Sequence, residues 1–151
     1  MVQRPDADHV TFDPTRTSLS GYTARIGFDK TGGDHWLWGA GLSAESPGFE
    51  LNDLGRLRAA DNIEAGAGLT YRENTPGKLF HRWALSGVFG SAWNFGWERQ
   101  GSSLDLQSNL TFKNFWGTFA GLGLSSRAQS DNLTRGGPSM GTLRAARGSP
   151  I

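Results

Sequence analysis

The sequence predicts an all-β protein, an antiparallel up-and-down meander of about six long strands that forms part of a transmembrane β-barrel wall. Three observations support this class: a nearly perfect alternation of polar and apolar residues, the confinement of strand charges to one face, and the alternation of short and longer connections with aromatic residues at the short-turn end. No long stretch has the helical period of 3.6 residues.

The alternation is clearest in residues 102–113. Apolar residues occupy the even positions Leu104, Leu106, Leu110 and Phe112, and polar residues occupy the odd positions Ser103, Asp105, Gln107, Asn109, Thr111 and Lys113. A period of two predicts a strand whose two faces contact different media. The next strand is predicted to begin at Phe115, after a very tight turn at 113–114.

The same pattern divides the chain into three parts, a loop or linker at 1–17, a β-barrel segment at 18–126 and a loop or disordered tail at 127–151. The predicted strands span 18–30, 36–45, 62–73, 80–93, 102–113 and 115–126. A soluble β-sandwich or lipocalin-like barrel, in which the same alternation separates core from water, remains an alternative.

A continuous apolar face is predicted to contact lipid. Its members are Trp36, Trp38, Leu42, Leu69, Trp83, Leu85, Leu104, Leu106 and Leu110. Charged residues inside the strands fall on the opposite face, and the exceptions, Lys30, Glu73 and His81, lie at strand ends. This segregation is expected in a membrane, where Arg or Lys on the lipid face costs about 2–4 kcal/mol at mid-depth.

Connection lengths and aromatic residues predict which end of the sheet faces the periplasm, namely the end with the short turns. Short connections at 31–35, 74–79 and 113–114 alternate with longer ones at 46–61, at 94–101 and after 126, as in outer-membrane barrels. An aromatic girdle is predicted at the short-turn end, from Phe28, Trp36, Trp38, Tyr71, Phe80, Trp83, Phe112, Phe115 and Trp116.

Composition sets further limits. The 151 residues carry a net charge of +1, which gives no reason to propose nucleic acid as a partner, and contain no cysteine.

The N-terminus lacks a secretory signal pattern, which an outer-membrane protein needs, so we expect the chain to be an internal piece of a longer protein. Because barrels need at least about eight strands, the isolated chain is expected to form a curved open sheet with two unpaired edges.

The sequence contains no pattern of catalytic, cofactor-binding or metal-binding residues, so the chain is predicted to be non-enzymatic and without a cofactor. One loop, 46–61, is a candidate for contact with a glycan or calcium ion at the external rim. The candidate residues are Phe49, Asn52, Asp53, Arg56, Arg58 and Asp61. The simpler alternative is a self-packed loop held by Phe49 and Leu54.

Several segments resemble the C-terminal barrel of the family called domain of unknown function 5916. They run from Asp13 to Gly21, Ser46 to Phe49, Asn52 to Gly55, Asn109 to Trp116 and Leu133 to Pro138. The chain departs from the family pattern at Arg56, where relatives have an apolar or aromatic residue, and after Pro138, where relatives continue into further strands. The second departure suggests a truncated or frame-disrupted end.

The resemblance implies a carbohydrate-binding family-nine-like domain ahead of the barrel in full-length relatives. The expected function is a non-catalytic bacterial outer-membrane barrel segment of a surface protein that binds or takes up carbohydrate or another nutrient. Its expected partners are outer-membrane lipid, the remaining strands of the barrel and a glycan. The alternatives are part of a carbohydrate-processing protein whose catalytic residues lie outside this chain, and a soluble β-barrel that binds a ligand.

Overall fold

The computed structural model describes residues 8–10, 15, 17, 18, 20–49, 61–130 and 140–150. These residues form β-strands and no helix. The strands are β1 (Thr23–Lys30), β2 (Trp36–Glu45), β3 (Asn62–Glu73), β4 (Phe80–Trp93), β5 (Arg99–Phe112), β6 (Gly117–Ser125), β7 (Gln129–Ser130), β8 (Met140–Gly141) and β9 (Ala145–Pro150).

Seven strands form one antiparallel sheet in the order β1-β2-β3-β4-β5-β6-β9, and β7 pairs with β8 in a separate ribbon. The first six strands of the large sheet follow chain order, so each pairs with the next. Within the described part of the chain, β1 and β9 do not pair, and the sheet is open. The predicted antiparallel open meander is therefore confirmed, with one strand more than the six expected.

Strand boundaries follow the sequence alternation closely. The bounds of β2, β3 and β4 match the predictions, whereas β1 begins later than expected, at Thr23. Ahead of β1, the backbone is held by the buried Ser46, whose hydroxyl accepts a hydrogen bond from the Tyr22 N–H at 2.8 Å. Pairing with β2 starts at Thr23, opposite Glu45.

Two register shifts interrupt the pairing of β4 with β5, one between Phe80 and Arg82 and one between Ala92 and Trp93. At the first shift, His81 is an extra residue, so that Phe80 still pairs with Phe112. Because of this bulge, Phe80 and Trp83 lie on the same face of the sheet, whereas strict alternation would place them on opposite faces.

The β4–β5 hairpin has a three-residue turn closed by two backbone hydrogen bonds. The N–H of Trp97 donates to the carbonyl of Asn94, and the N–H of Asn94 donates to the carbonyl of Glu98, both at 3.0 Å. Trp97 has a φ of 63°, in the left-handed region. The β5–β6 turn repeats this pattern with Phe115, at a φ of 65°, in the equivalent position. A three-residue loop that ends in a left-handed residue is a common hairpin connection, usually built on a type I turn.

Two sequence expectations require correction here. The connection between β5 and β6 covers 113–116 and β6 begins at Gly117, so the turn is longer than the predicted 113–114. The connection between β4 and β5 covers only 94–98, the same length as 31–35 between β1 and β2. The predicted alternation of short and long connections therefore fails at β4–β5, because β5 extends back to Arg99.

The predicted loop or disordered tail at 127–151 also requires correction, since it contains β7, β8 and β9. Strand β9 pairs with the edge of β6, with Gly148 opposite Leu122. Its sequence, Ala145–Pro150, has no large apolar residue to mark a strand face. The pairing depends on backbone hydrogen bonds that a side-chain pattern does not reveal.

Candidate functional site

All nine residues predicted to contact lipid lie on one face of the large sheet. Directly paired residues share a face in an antiparallel sheet. Leu69 pairs with Trp38 on one side and with Gly87 on the other, and Gly87 pairs in turn with Leu106. We call this surface the apolar face; it comprises Trp36, Trp38, Leu42, Leu69, Trp83, Leu85, Leu104, Leu106 and Leu110.

The apolar face is not covered by any second layer of the described structure. Leu69 and Leu85 are each 50 % exposed. Among the described residues, the buried ones are Ser46, Ser91 and Asn94, all of them polar. The sheet therefore has no apolar core of its own.

Aromatic rings gather on the apolar face at the end that carries the 31–35 and 74–79 connections. Tyr71 contacts Trp36 edge-on at a centroid distance of 4.8 Å and Trp83 at 5.1 Å. Phe80 and Phe112 are also 5.1 Å apart. The Tyr71 contacts join β2, β3 and β4, and the Phe80–Phe112 contact joins β4 and β5. Part of the predicted girdle therefore lies in one band.

The opposite face, which we call the polar face, carries the charges of the strand interiors. Arg25, Glu64, Arg72, Arg82 and Asp105 all belong to it by register. Two concavities of about 1160 Å³ and about 730 Å³ lie over this face. The larger one lies over β1 to β6, where glycine and serine dominate the register, and the smaller one lies at the aromatic end between β3 and β6.

The predicted loop site is only partly within the described residues. Asn52, Asp53, Arg56 and Arg58 lie outside them. Phe49 donates its backbone N–H to the carbonyl of Ser46 at 2.9 Å and so closes a turn. Whether these residues contact a ligand stays a prediction.

Asp61, the sixth candidate, joins the N-terminal segment to the β4–β5 turn. Its Oδ1 accepts the Phe95 N–H at 2.9 Å, and its Oδ2 lies 2.7 Å from His9 Nε2. In the same turn, Asn94 is 0 % exposed, accepts the Glu98 N–H at 2.8 Å and donates to Glu98 Oε2 at 2.9 Å. The structure thus gives Asp61 a local structural role that the sequence did not reveal.

The other histidines lie apart from His9. His35 stacks on Tyr71 at 5.5 Å, and its Nδ1 lies 3.5 Å from a carboxylate oxygen of Glu73. His81 contacts the ring of Phe115 at 5.1 Å. Across the described ranges, no three His, Asp or Glu side chains are grouped so that they could hold a metal ion.

Sequence reasoning missed one juxtaposition on the polar face, that of Arg72 and Arg82. The strand phase put both residues on this face, but only the register between β3 and β4 shows that they are neighbours. The register follows from connection length and face matching together, which a single strand pattern does not contain.

In the part of the chain that the structure describes, there is no helix with the length and apolar composition needed to span a membrane.

Comparison with known proteins identifies a family. No curated protein and no solved structure matches the chain. The family model described as Domain of unknown function (DUF5916) matches residues 6–134, which cover all six strands of the meander. Because this match extends over most of the sequence, the chain belongs to the DUF5916 family.

Proposed function

We propose that this chain is a non-catalytic wall segment of a β-barrel in the bacterial outer membrane, with its apolar face toward lipid and its polar face toward the lumen. One observation carries the proposal: among the described residues, no apolar side chain is buried, although β2 to β5 are 10 to 14 residues long and apolar on one face. A soluble sandwich would bury that face against a second layer.

Strand length supports the same proposal. A strand of ten residues rises about 33 Å, and at a tilt of about 45° it crosses the apolar band of about 25 Å in an outer membrane. Strands of soluble proteins most often have about five or six residues. The aromatic band around Tyr71 lies at one end of the strands, where interfacial girdles lie in membrane barrels.

The proposed partners are lipid, the remaining strands of a closed barrel, and a transported or bound nutrient. The open edges at β1 and β9 support further strand pairing, because unpaired edges expose backbone donors and acceptors. Carbohydrate or nutrient handling rests on the family resemblance, and the sheet contributes a polar face on which a solute can bind.

A cysteine scan along β5 tests the proposal, and the chain suits it because it contains no cysteine. Single cysteines at 103 to 110 carry an environment-sensitive fluorophore, and the protein is folded into phosphatidylcholine vesicles with or without bromines on the acyl chains. Leu104→Cys, Leu106→Cys and Leu110→Cys should be blue-shifted and quenched by brominated lipid. The matched controls Asp105→Cys and Gln107→Cys should be neither.

The soluble alternative gives a different result in the same scan. If the even positions are already shielded in lipid-free buffer, in a monodisperse monomer, and bromines do not quench them, the apolar face is a protein core and the membrane proposal is wrong. Sedimentation of the unlabelled protein in plain buffer and in detergent provides the second measurement. We expect association in buffer and a single species in detergent, because an exposed apolar face that extends over several strands causes aggregation in water.

A further inference from the structure

Arg72 and Arg82 are close neighbours on the polar face. Arg72 pairs with Ala84, and Arg82 lies two residues from Ala84 on the same face of β4. Such diagonal positions in antiparallel strands have Cα atoms about 7–8 Å apart. Both arginines line the concavity of about 730 Å³ at the aromatic end of the sheet.

Neither guanidinium is neutralised by a carboxylate of the described residues. Arg72 donates from Nη2 to the carbonyl of Gly33 at 3.0 Å, and its Nε is buried without a hydrogen-bond partner. Arg82 makes a long contact from Nε to the Thr111 hydroxyl, 3.4 Å. Glu73 follows Arg72 in sequence but pairs with Trp83 on the apolar face, and its Oε1 accepts the Thr75 N–H at 2.8 Å.

The remaining acidic residues of the polar face lie farther along the strands. Asp105 pairs with Val88, which is six residues from Arg82 and four residues from Ala84, the partner of Arg72; these separations correspond to about 20 Å and about 13 Å of strand. Asp29 lies at the same level, because it pairs with Gly39, which pairs in turn with Gly68. Arg25 provides a contrast, since it pairs with Ser43, which pairs in turn with Glu64. Arg72 and Arg82 therefore form the part of the polar face where two positive charges adjoin without an acidic neighbour in register.

Other groups around the concavity suit an organic anion. Asn109 and Thr111 contribute an amide and a hydroxyl from β5. Phe119, opposite Asn109 on β6, contributes an aromatic ring to the polar face. A Cβ at Gly121 would lie 3.4 Å from the Cζ of Phe119, so the glycine leaves room for this ring to lie along the strand.

We propose that Arg72 and Arg82 bind the carboxylate or phosphate group of a small organic anion whose apolar ring packs against Phe119. Arginine presents a planar set of donors that matches both oxyanions, and an anion bound between two adjacent arginines offsets the repulsion between their positive charges. The site exists because the register between β3 and β4 brings the two arginines together. It goes beyond the proposed role as a barrel wall, because it would select a solute by its charge.

Titration of the folded chain in zwitterionic detergent tests the site, with phenyl phosphate, benzoate, inorganic phosphate and neutral phenol as probes. The ¹⁵N-resolved Nε–H signals of Arg72 and Arg82 should shift saturably with the three anions and not with phenol. Arg25 is the internal control and should not respond. Phenyl phosphate should bind more tightly than inorganic phosphate because of the ring contact.

Variants separate the contributions. Arg82 is exposed, so Arg82→Gln should leave folding intact, and we expect the dissociation constant for phenyl phosphate to rise by about 10- to 100-fold, the effect of losing one charge-assisted hydrogen-bonding group. Arg25→Gln should leave it unchanged. Phe119→Leu should weaken phenyl phosphate and benzoate but not inorganic phosphate.

Two results would overturn the proposal: equal shifts of all arginine signals, which indicate unspecific screening, or unchanged affinity in Arg82→Gln with native circular dichroism. Comparison of benzoate with phenyl phosphate shows which oxyanion the site prefers. The outcome is independent of the membrane test, since the same titration can be performed in buffer if the chain proves to be a soluble monomer.

Discussion

Leu106→Arg tests the medium around the apolar face most directly. Leu106 lies between Gly87 and Leu122 in the middle of β5 and is 42 % exposed. It is six residues from the end of β5 at Phe112. At a rise of about 3.3 Å per residue and a tilt of about 45°, that separation is about 14 Å along the membrane normal, which places Leu106 near mid-depth.

The expected cost follows from that depth. Arginine on the lipid face of a membrane barrel destabilises the fold by about 2–4 kcal/mol at the midplane and by about 0–1 kcal/mol near the interface. Leu110, four residues nearer the end of β5, should therefore show a smaller penalty when it is changed to arginine. At an exposed surface position in water, by contrast, either change should stay within about 0.5 kcal/mol.

Reversible guanidinium unfolding of the protein in phosphatidylcholine vesicles, followed by tryptophan emission, measures these free energies. The matched control is Gln107→Arg, one residue away on the polar face, between Ser86 and Gly121. We expect the control to stay within about 0.5 kcal/mol of wild type. Equal costs for Leu106→Arg and Gln107→Arg, or no cost for either, would refute the reasoning.

The remaining predictions concern the β4–β5 turn. Asn94→Ala should destabilise this hairpin by about 1–3 kcal/mol, because the fully buried side chain both donates to and accepts from Glu98; faster amide exchange in 94–98 should accompany the loss, and unchanged exchange would contradict it. Trp97→Gly should be more stable than Trp97→Ala by about 1 kcal/mol, because the left-handed conformation penalises any Cβ. At an ordinary strand position, the alanine variant would be the more stable of the two. Equilibrium unfolding of Trp97→Gly and Trp97→Ala therefore distinguishes the two cases by which variant has the larger free energy of unfolding. The corresponding pair at Phe115 should behave alike, since its φ is almost the same.

The sequence predicted β2 to β5 well because side-chain alternation and backbone pairing agree there. The face of each residue in these strands follows from position parity, and the observed register keeps Leu42, Leu69, Leu85 and Leu106 together. Parity fails at a bulge: the alternation marked His81 only as an exception at a strand end, and the register shows that it is an extra residue.

The sequence did not predict the elements in which the backbone alone determines structure. Strand β9 carries small and polar residues and pairs along an existing edge. The two hairpin turns were expected, but their bounds were wrong for a related reason: the usual signals for left-handed positions are Gly, Asn and Asp, and this chain has Trp97 and Phe115 there. The Arg72–Arg82 pair also depends on register between strands, which parity within one strand cannot supply.

The two strained turns bear on the membrane proposal through their side chains. A left-handed residue other than glycine costs about 1–2 kcal/mol, and Trp97 and Phe115, both in this conformation, are each 74 % exposed. In water, each turn would combine backbone strain with an exposed aromatic ring. At the level of lipid headgroups, the ring gains a favourable environment, which offsets the strain. The turns lie at opposite ends of β5, so one strand carries an aromatic ring at each end, as expected for a strand that spans from one interface to the other.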